Sequence, residues 1–502
     1  MEDWLTARTR ATPDKLALVA PFGGTRNFQR LDEGVRRFSA YLVNWRLSSG
    51  DRVAILLDNV HEFVSLVFAA MRLQLVVVPI NTRLSHEEIR WQIENTGCKC
   101  LISAHQNLRH LREMTAALNI PVYCVNMPVE VGSHVEHLRK VANKSLLADM
   151  KETEIDLAEP FAIIHTSGTS GAPKGAVLTY GNFFYSAMAS AYHLGHRPDD
   201  RWLCVIPLYH VGGLSMLMKG VLHGVTVDLH PKFNLERINK VLDTQPITLI
   251  SLVPTMLYRL LESRTHWPES LRMILLGGAA APPELLERCQ EMGLPVATTY
   301  GLTEAASQVA TILPEDVYRK PGSVGKPLLF TSVKIIDENG DPAAQGEYGE
   351  IVVSGPTVMQ GYYNDPEATA KALRNGELHT GDIGYLDEEG DLFVVQRRSD
   401  LIVSGGENVY PAEVEQVLRR HPAVKEAIVV GMPDAEWGQQ VVAAIELIEH
   451  ASLDEDALIA FCREHLAGYK LPRRILFVNS LPQTASGKIQ RSAVIDLFTS
   501  NV

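Results

Sequence analysis

The chain has 502 residues, of which 46% are hydrophobic and 21% charged. At roughly 100–200 residues per domain, this length predicts two to four folded domains, and the composition is typical of globular proteins and not of disordered ones. The net charge of −12 disfavours nucleic acid as the main partner, because the chain repels a phosphate backbone at long range. Six cysteines are too few for a disulfide scaffold.

The N-terminal region carries no recognisable export or membrane signal. Residues 1–8 lack the apolar stretch of a secretory signal peptide. The most apolar stretch, 63–80, is interrupted by Arg72 and Gln74, so it predicts a buried helix followed by a strand, and not a membrane span. We therefore expect a cytoplasmic protein with no membrane span.

Short apolar, β-branched runs alternate with helix-length amphipathic segments along most of the chain. This rhythm predicts parallel sheets covered by helices. From about Lys334 the sequence changes to glycine-rich turns and short strands, and after Arg398–Ser399 the alternation resumes for about a hundred residues. We predict an α/β protein with an N-terminal domain (1–398) of two parallel sheets and a β-rich section (about 330–398), followed by a small α+β domain (399–502). The clearest strand runs are 52–57, 76–80, 248–253, 273–276 and 296–300.

A loop rich in small hydroxyl residues and glycine follows the apolar run 161–164. Its sequence, HTSGTSGAPKG at 165–175, lets successive backbone N–H groups wrap a polyphosphate while Lys174 supplies positive charge. It is not a Walker A loop, because Pro173 precedes the lysine and Gly175 follows it. The alternative is a flexible turn without a ligand. The predicted nucleotide-binding residues are Thr166, Ser167, Gly168, Thr169, Ser170, Gly171 and Lys174.

Four further motifs follow in order: TYGLTE at 299–304, HTGD at 379–382, RRSDLIVSGGEN at 397–408 and PQTASGK at 482–488. Together with the loop they resemble the adenylate-forming superfamily of acyl- and aryl-CoA ligases, peptide-synthetase adenylation domains and luciferases, over essentially the whole chain. The resemblance implies ATP, Mg²⁺ and CoA as cofactors or cosubstrates. It also implies that a carboxylate attacks the α-phosphorus of ATP, that a thiol then displaces AMP, and that a mobile C-terminal domain rotates between the two steps.

The motif residues suit these tasks chemically. Tyr300 offers an aromatic face to a nucleobase, Thr303 has a hydroxyl for a phosphate, and Glu304 is a hard oxygen ligand for Mg²⁺. Without a ligand, the motif at 300–304 would be only a strand end that leads into a helix cap. Asp382 would then be only a solvated turn residue. By resemblance, Asp382 accepts hydrogen bonds from both ribose hydroxyls. Further nucleotide contacts are implied for Gly278, Ala279, Ala280, Thr299, Gly301 and Arg397.

The C-terminal motifs supply the remaining catalytic parts by resemblance. Lys488 corresponds to the catalytic lysine that bridges the substrate carboxylate and the nucleotide, a role that suits a flexible point charge. Ser399 corresponds to the hinge, where many members carry Asp or Lys, and Gly405 and Gly406 to the face that admits the pantetheine arm of CoA. A second departure from the family pattern is Gln396, where a glycine is usual.

The acid pocket is expected between the segment 207–215 and the segment that follows Glu304. By resemblance, His210 gates or lines this pocket; otherwise it is an ordinary turn residue. In a helix, Ser215 and Lys219 share one face. A lysine inside such an apolar run is costly unless it is paired or extends to solvent. Lys219 therefore either snorkels outward or meets a second carboxylate on the substrate.

Two local strings, 214–220 and 300–309, resemble 2-succinylbenzoate–CoA ligases of menaquinone biosynthesis. That substrate is a dicarboxylate, and the resemblance implies that Gly301, Ser307 and Gln308 line its pocket. The predicted enzyme is an ATP-dependent acid–CoA ligase whose partners are small molecules, with its oligomeric state left open. The alternatives are a general fatty-acyl- or aryl-CoA ligase, a peptide-synthetase adenylation domain and a catalytically silent nucleotide-binding protein.

Overall fold

The computed structural model describes residues 1–20, 24–45, 47–125, 135–137, 154–166, 173–337, 339–396, 401–482 and 491–500. The chain forms two compact units. The first contains residues 1–82, 93–164 and 175–396, and the second contains 83–92, 165–174 and 397–502. The boundary expected at Arg398–Ser399 lies outside the described residues and stays a prediction.

Helices and strands alternate through most of the first unit, as the sequence predicts. The α-helices of the described residues are α1 (Trp4–Ala11), α2 (Phe28–Asn44), α3 (His61–Arg72), α4 (His86–Asn95), α5 (His105–His110), α6 (Arg112–Ala117), α7 (Tyr180–Leu194), α8 (Val211–His223), α9 (Leu235–Thr244), α10 (Pro254–Ser263), α11 (Pro283–Glu291), α12 (Pro366–Ala372), α13 (Pro411–Arg419), α14 (Glu455–His465) and α15 (Arg491–Ser500). In the described part of the chain, no helix is both long enough and apolar enough to cross a membrane.

The strands begin and end close to the predicted positions. Those of the described residues are β1 (Leu16–Ala20), β2 (Gly24–Asn27), β3 (Arg52–Leu56), β4 (Val76–Pro79), β5 (Cys100–Ser103), β6 (Val122–Cys124), β7 (Val135–His137), β8 (Pro160–Thr166), β9 (Lys174–Thr179), β10 (Arg201–Cys204), β11 (Thr226–Leu229), β12 (Leu249–Leu252), β13 (Met273–Leu276), β14 (Val296–Leu302), β15 (Ser307–Thr311), β16 (Lys326–Pro327), β17 (Ser332–Ile336), β18 (Gly349–Ser354), β19 (Gly361–Tyr362), β20 (Leu373–Arg374), β21 (Glu377–Leu386), β22 (Leu392–Gln396), β23 (Ile402–Ser404), β24 (Glu407–Val409), β25 (Val424–Asp434), β26 (Gly438–Leu447) and β27 (Arg474–Val478).

Two large sheets have parallel centres. One has the order β16-β15-β14-β13-β12-β10-β11-β1-β2 and is parallel from β14 to β1, with antiparallel strands at both edges. The other has the order β19-β9-β8-β4-β3-β5-β6-β7, and its β3 pairs in parallel with both β4 and β5. The central strands are buried along their whole length, which explains their continuous apolar runs. The prediction of two parallel α/β sheets is confirmed.

The remaining sheets are smaller and mostly antiparallel. β17, β18, β21, β20 and β22 form the β-rich section predicted from the glycine-rich turns. In the second unit, β24, β23, β26, β25 and β27 form a sheet whose apolar residues pack in two small clusters with α13, α14 and α15. The large N-terminal and small C-terminal parts of the predicted fold are therefore present.

Candidate active site

The end of β14 turns back on itself to form β15, and this turn carries the TYGLTE motif. Gly301 pairs with Gln308 at a bulge in the register, and a Cβ atom at Gly301 would lie 1.7 Å from the carbonyl oxygen of Ser307. Only glycine fits there. Ala306 and Ser307 have φ angles of 51° and 98°, which residues other than glycine rarely adopt. The Ser186 hydroxyl, which donates to the Ala306 carbonyl at 2.7 Å, helps to hold this strained turn.

Tyr300 and Asp382, which lie in different motifs, are in direct contact. The Tyr300 hydroxyl donates to Asp382 Oδ2 at 2.6 Å, and both residues are buried, with exposed fractions of 2% and 7%. The backbone N–H of Asp382 donates to the Thr380 hydroxyl at 3.0 Å. These contacts fix the position of the carboxylate. The Tyr300 ring is largely covered by protein, so its stacking role stays a prediction.

Glu304 is a buried carboxylate with a phenolic partner. The Tyr362 hydroxyl donates to Glu304 Oε1 at 2.7 Å, and the backbone N–H of Met359 donates to the Glu304 carbonyl at 2.8 Å. No group of three or more metal-binding side chains is present among the described residues. A single carboxylate nevertheless suits Mg²⁺, which takes one or two protein ligands and otherwise binds phosphates and water. Sequence reasoning missed Tyr362 as the partner of Glu304, because it lies 58 residues away.

The segment that follows β13 lies beside the end of β14. Gly278 has a φ angle of 81°, and a Cβ atom there would lie 3.2 Å from Val253 Cγ1. Gly278 and Ala280 are exposed and Ala279 is half-buried, so this surface is accessible at the carboxyl edge of the sheet, where nucleotides bind in folds of this class. Thr303 is half-buried on the neighbouring turn.

Lys219 lies inside the protein and does not snorkel to solvent. The segment is helical, the Lys219 side chain is on α8, and only 2% of the residue is exposed. The ammonium donates to Gln308 Oε1 at 2.6 Å and lies 5.5 Å from the centre of the Trp202 ring. Burial lowers the pKa of Lys219 to about 7. Ser215, one turn earlier, is buried too, and its hydroxyl donates to the Gly212 carbonyl.

Contacts at both ends of α8 fix the position of Lys219. Before the helix, the Asn59 amide donates to the Ile206 carbonyl at 2.9 Å and accepts from the Leu208 N–H at 2.7 Å. A Cβ atom at Gly213 would lie 2.2 Å from the Pro207 carbonyl oxygen. The helix begins directly after His210.

At the other end of α8, the Arg8 guanidinium donates to the carbonyls of Val221 and Leu222, at 2.9 and 2.6 Å. These carbonyls have no partner within the helix, so the cation satisfies them and complements the helix dipole. Sequence reasoning missed both Asn59 and Arg8, because neither belongs to a motif and each lies more than a hundred residues from its partner.

The family models of AMP-binding enzymes and of the AMP-binding enzyme C-terminal domain match residues 5–363 and 413–488. The chain belongs to the AMP-binding enzyme family. It is 43% identical over 493 residues to the 2-succinylbenzoate–CoA ligase of Bacillus mycoides (strain KBAB4), covering 98% of this chain and 97% of the relative. The superfamily predicted from the motifs is thus confirmed.

Solved structures of AMP-binding enzymes resemble the chain over nearly its whole length. A double mutant of o-succinylbenzoate CoA synthetase from Bacillus subtilis, bound with its product analogue, has a TM-score of 0.88 at 39% identity and covers 99% of this chain and 98% of its own. The same Bacillus subtilis enzyme in complex with ATP and magnesium ion has a TM-score of 0.71 at 39% identity, covering 98% and 99%. The predicted fold class is confirmed.

Several family motif residues lie outside the described part of the chain. Thr166 is the last residue of β8 and Lys174 the first of β9, and the Thr166 hydroxyl donates to the Lys174 carbonyl at 3.4 Å. In the second unit, Gly405 and Gly406 form the turn between β23 and β24 with φ angles of 59° and 83°. The individual roles assigned to the site residues stay predictions. Those outside the description are Ser167, Gly168, Thr169, Ser170, Gly171, Arg397, Ser399 and Lys488.

Proposed function

We propose that this AMP-binding enzyme is a 2-succinylbenzoate–CoA ligase that acts in the cytoplasm. It joins 2-succinylbenzoate to CoA at the expense of ATP and releases AMP and pyrophosphate. The similarity to 2-succinylbenzoate–CoA ligase over 98% of the chain supports the reaction. The observation that carries the choice of acid is the buried ammonium of Lys219 beside the neutral amide of Gln308.

A buried cation with a neutral partner favours an anionic ligand. Desolvation of an ammonium is costly, and an amide oxygen offsets only part of that cost. An ammonium has three N–H donors, of which one is directed at Gln308. The ring carboxylate of 2-succinylbenzoate supplies the missing negative charge, whereas a fatty acid or benzoate has no second carboxylate for this purpose. Lys219 therefore selects a dicarboxylate.

The other site residues act on the nucleotide. Asp382, held by Tyr300, accepts hydrogen bonds from the ribose hydroxyls. Glu304 would hold Mg²⁺, which neutralises phosphate charge during the transfer. A succinyl carboxylate oxygen attacks the α-phosphorus and pyrophosphate leaves. The CoA sulfur then attacks the acyl carbon, and AMP leaves with the bonding electron pair. Lys488 supplies positive charge in the first step.

The test is pyrophosphate release from ATP with a small panel of acids, followed by addition of CoA. The panel contains 2-succinylbenzoate, benzoate, a medium-chain fatty acid and several amino acids. We expect release with 2-succinylbenzoate alone and a CoA thioester as the product. Activity on the monocarboxylates would instead make the chain a general acyl- or aryl-CoA ligase. If no acid caused release of pyrophosphate, the result would favour a nucleotide-binding protein without catalytic activity.

A further inference from the structure

A line of polar side chains leads away from Lys219 along β15 and β14; Gln308 and Thr311 are buried and Thr299 is half-buried. Gln308 Nε2 lies 3.1 Å from Thr311 Oγ1, and Thr311 Oγ1 lies 2.8 Å from Thr299 Oγ1. Thr299 Oγ1 is in turn 2.9 Å from the Ala310 carbonyl oxygen. Gln308 and Thr311 are 3% and 1% exposed. Four hydrogen bonds thus connect the ammonium to the backbone of β15.

The chemistry of these groups fixes the direction of every hydrogen bond. An ammonium only donates, so the amide oxygen of Gln308 faces Lys219 and its NH₂ group faces Thr311. The carbonyl of Ala310 only accepts, so the Thr299 hydroxyl donates to it. The Thr299 oxygen is then left to accept the proton of Thr311, whose own oxygen accepts from Gln308.

We propose that Thr311 and Thr299 are positioning residues that hold the Gln308 amide with its oxygen toward Lys219, and thereby set the ammonium for the second carboxylate of the acid. This inference rests on the proposed function, in which Lys219 binds that carboxylate. The hydroxyl of Thr299 takes part in this chain of hydrogen bonds, and the nucleotide contact expected for this residue stays a prediction.

The hydroxyl of Thr311 matters because an amide has two nearly isosteric orientations. With Thr311 as acceptor, the orientation that presents Oε1 to Lys219 satisfies both ends of the amide. Without that acceptor, the NH₂ group is left buried without a partner, which is costly. Rotation of the amide would then place N–H donors against the ammonium, and the ammonium would lose its fixed position.

The test compares 2-succinylbenzoate with 4-oxo-4-phenylbutanoate, which is the same acid without the ring carboxylate. The variants are Thr311→Val, which removes the hydroxyl at nearly constant shape, and Thr311→Ser, which restores it. We expect Thr311→Val to raise the KM for 2-succinylbenzoate on the order of tenfold, while the KM values for ATP and for the monoacid change by less than about twofold. Thr311→Ser should behave as the parent.

Thr226→Val is the matched control. This residue is also a buried threonine, but its hydroxyl donates to the Leu16 carbonyl at 2.8 Å and takes no part in the chain of hydrogen bonds. We expect parent kinetics on both acids. If Thr311→Val does not fold, Thr299→Val, which removes the acceptor of the Thr311 proton, should raise the KM for 2-succinylbenzoate relative to the KM for the monoacid by a similar factor. Both acids are then compared at the same saturating ATP concentration, because Thr299 is also predicted to contact the nucleotide.

The two proposals fail in different ways. If the parent enzyme does not prefer 2-succinylbenzoate over 4-oxo-4-phenylbutanoate, the proposed function fails. If the parent prefers it and Lys219→Met abolishes the preference, but Thr311→Val keeps the parent KM, only the positioning role is overturned. Equal losses on both acids in Thr311→Val would also overturn it, because they would indicate a merely structural effect.

Discussion

Two lysines, one in each unit, are almost completely buried, yet their surroundings differ. Lys219 is 2% exposed and donates to a neutral amide. Lys470 is 3% exposed, and its ammonium lies 2.5 Å from Glu88 Oε1 and 2.7 Å from Glu413 Oε1. Burial lowers the pKa of Lys219 to about 7. Burial also opposes the charge of Lys470, but the ionisable Tyr469 and the carboxylates of Glu413 and Glu88 outweigh it and raise the pKa.

The contrast indicates different roles for the two lysines: a structural role for Lys470 and, as we propose, a ligand-binding role for Lys219. Lys470 has its counter-charges within the protein, so its role is complete without a substrate. Lys219 is buried without a counter-charge among the described residues, so folding carries a desolvation cost, which the second carboxylate of the proposed substrate would relieve. Exchanging each lysine for a neutral residue should therefore have opposite effects on stability.

Lys470→Met is expected to have the largest effect on folding. Removing the cation leaves Glu88 and Glu413 buried beside each other, and breaking a buried pair in this way costs about 3–5 kcal/mol. Denaturant unfolding measures the loss. Lys425→Met is the matched control, because Lys425 pairs with Glu446 while 63% of its side chain is exposed, and exposed pairs contribute at most about 1 kcal/mol. Equal losses in the two variants would contradict the structural role of Lys470.

Lys219→Met is expected to have the largest effect on selection of the acid. Losing a buried charge-assisted contact should lower kcat/KM for 2-succinylbenzoate by on the order of a hundredfold. Activity on 4-oxo-4-phenylbutanoate should persist, and the free energy of unfolding at pH 7 should stay level or rise. Steady-state kinetics on both acids and denaturant unfolding check this. A variant as destabilised as Lys470→Met would make Lys219 a structural residue.

Only the Lys219 side of this comparison and the motif residues could be singled out from the sequence, because their signals are local. A lysine within the apolar run 212–222 stands out, and the motifs placed Tyr300, Glu304 and Asp382. The partners of these residues could not be predicted in the same way. Tyr362 reaches Glu304 across 58 positions. Thr311 meets Thr299 only because β15 folds back on β14 with a register shift. Such contacts depend on strand register, which a single sequence does not specify.

We expect kcat/KM for 2-succinylbenzoate and the free energy of unfolding to depend on pH in different ways. Lys219 carries its charge below a pH of about 7 and loses it above, so kcat/KM for 2-succinylbenzoate should fall by about tenfold per pH unit well above 7. The nearby His196 and His223 have lowered pKa values through burial and stay neutral in this range. Neither 4-oxo-4-phenylbutanoate with the parent nor 2-succinylbenzoate with Lys219→Met should show this decline.

Stability should change in the other direction over the same pH range. The unfolded chain binds the Lys219 proton up to its ordinary pKa of 10.5, whereas the folded protein releases it near 7. The unfolded state therefore binds more protons between these values, and this group makes the free energy of unfolding rise with pH. Subtracting the unfolding profile of Lys219→Met from that of the parent isolates the contribution. A difference that is flat from pH 7 to 10 would contradict the lowered pKa.

The smallest expected effect concerns Asp382. This buried carboxylate is opposite in charge to the Lys219 ammonium but, like it, has a neutral hydrogen-bond partner. Tyr300→Phe removes the hydroxyl that donates to Asp382 Oδ2 and keeps the ring. The carboxylate then loses one hydrogen bond and its fixed orientation toward the ribose that we propose it binds, so the KM for ATP should rise by roughly three- to tenfold. The KM for 2-succinylbenzoate should stay within about twofold, because Lys219 is unaffected. Parallel losses for both substrates would instead indicate that the turn from β14 to β15 had moved as a whole and that the two halves of the site are not separable.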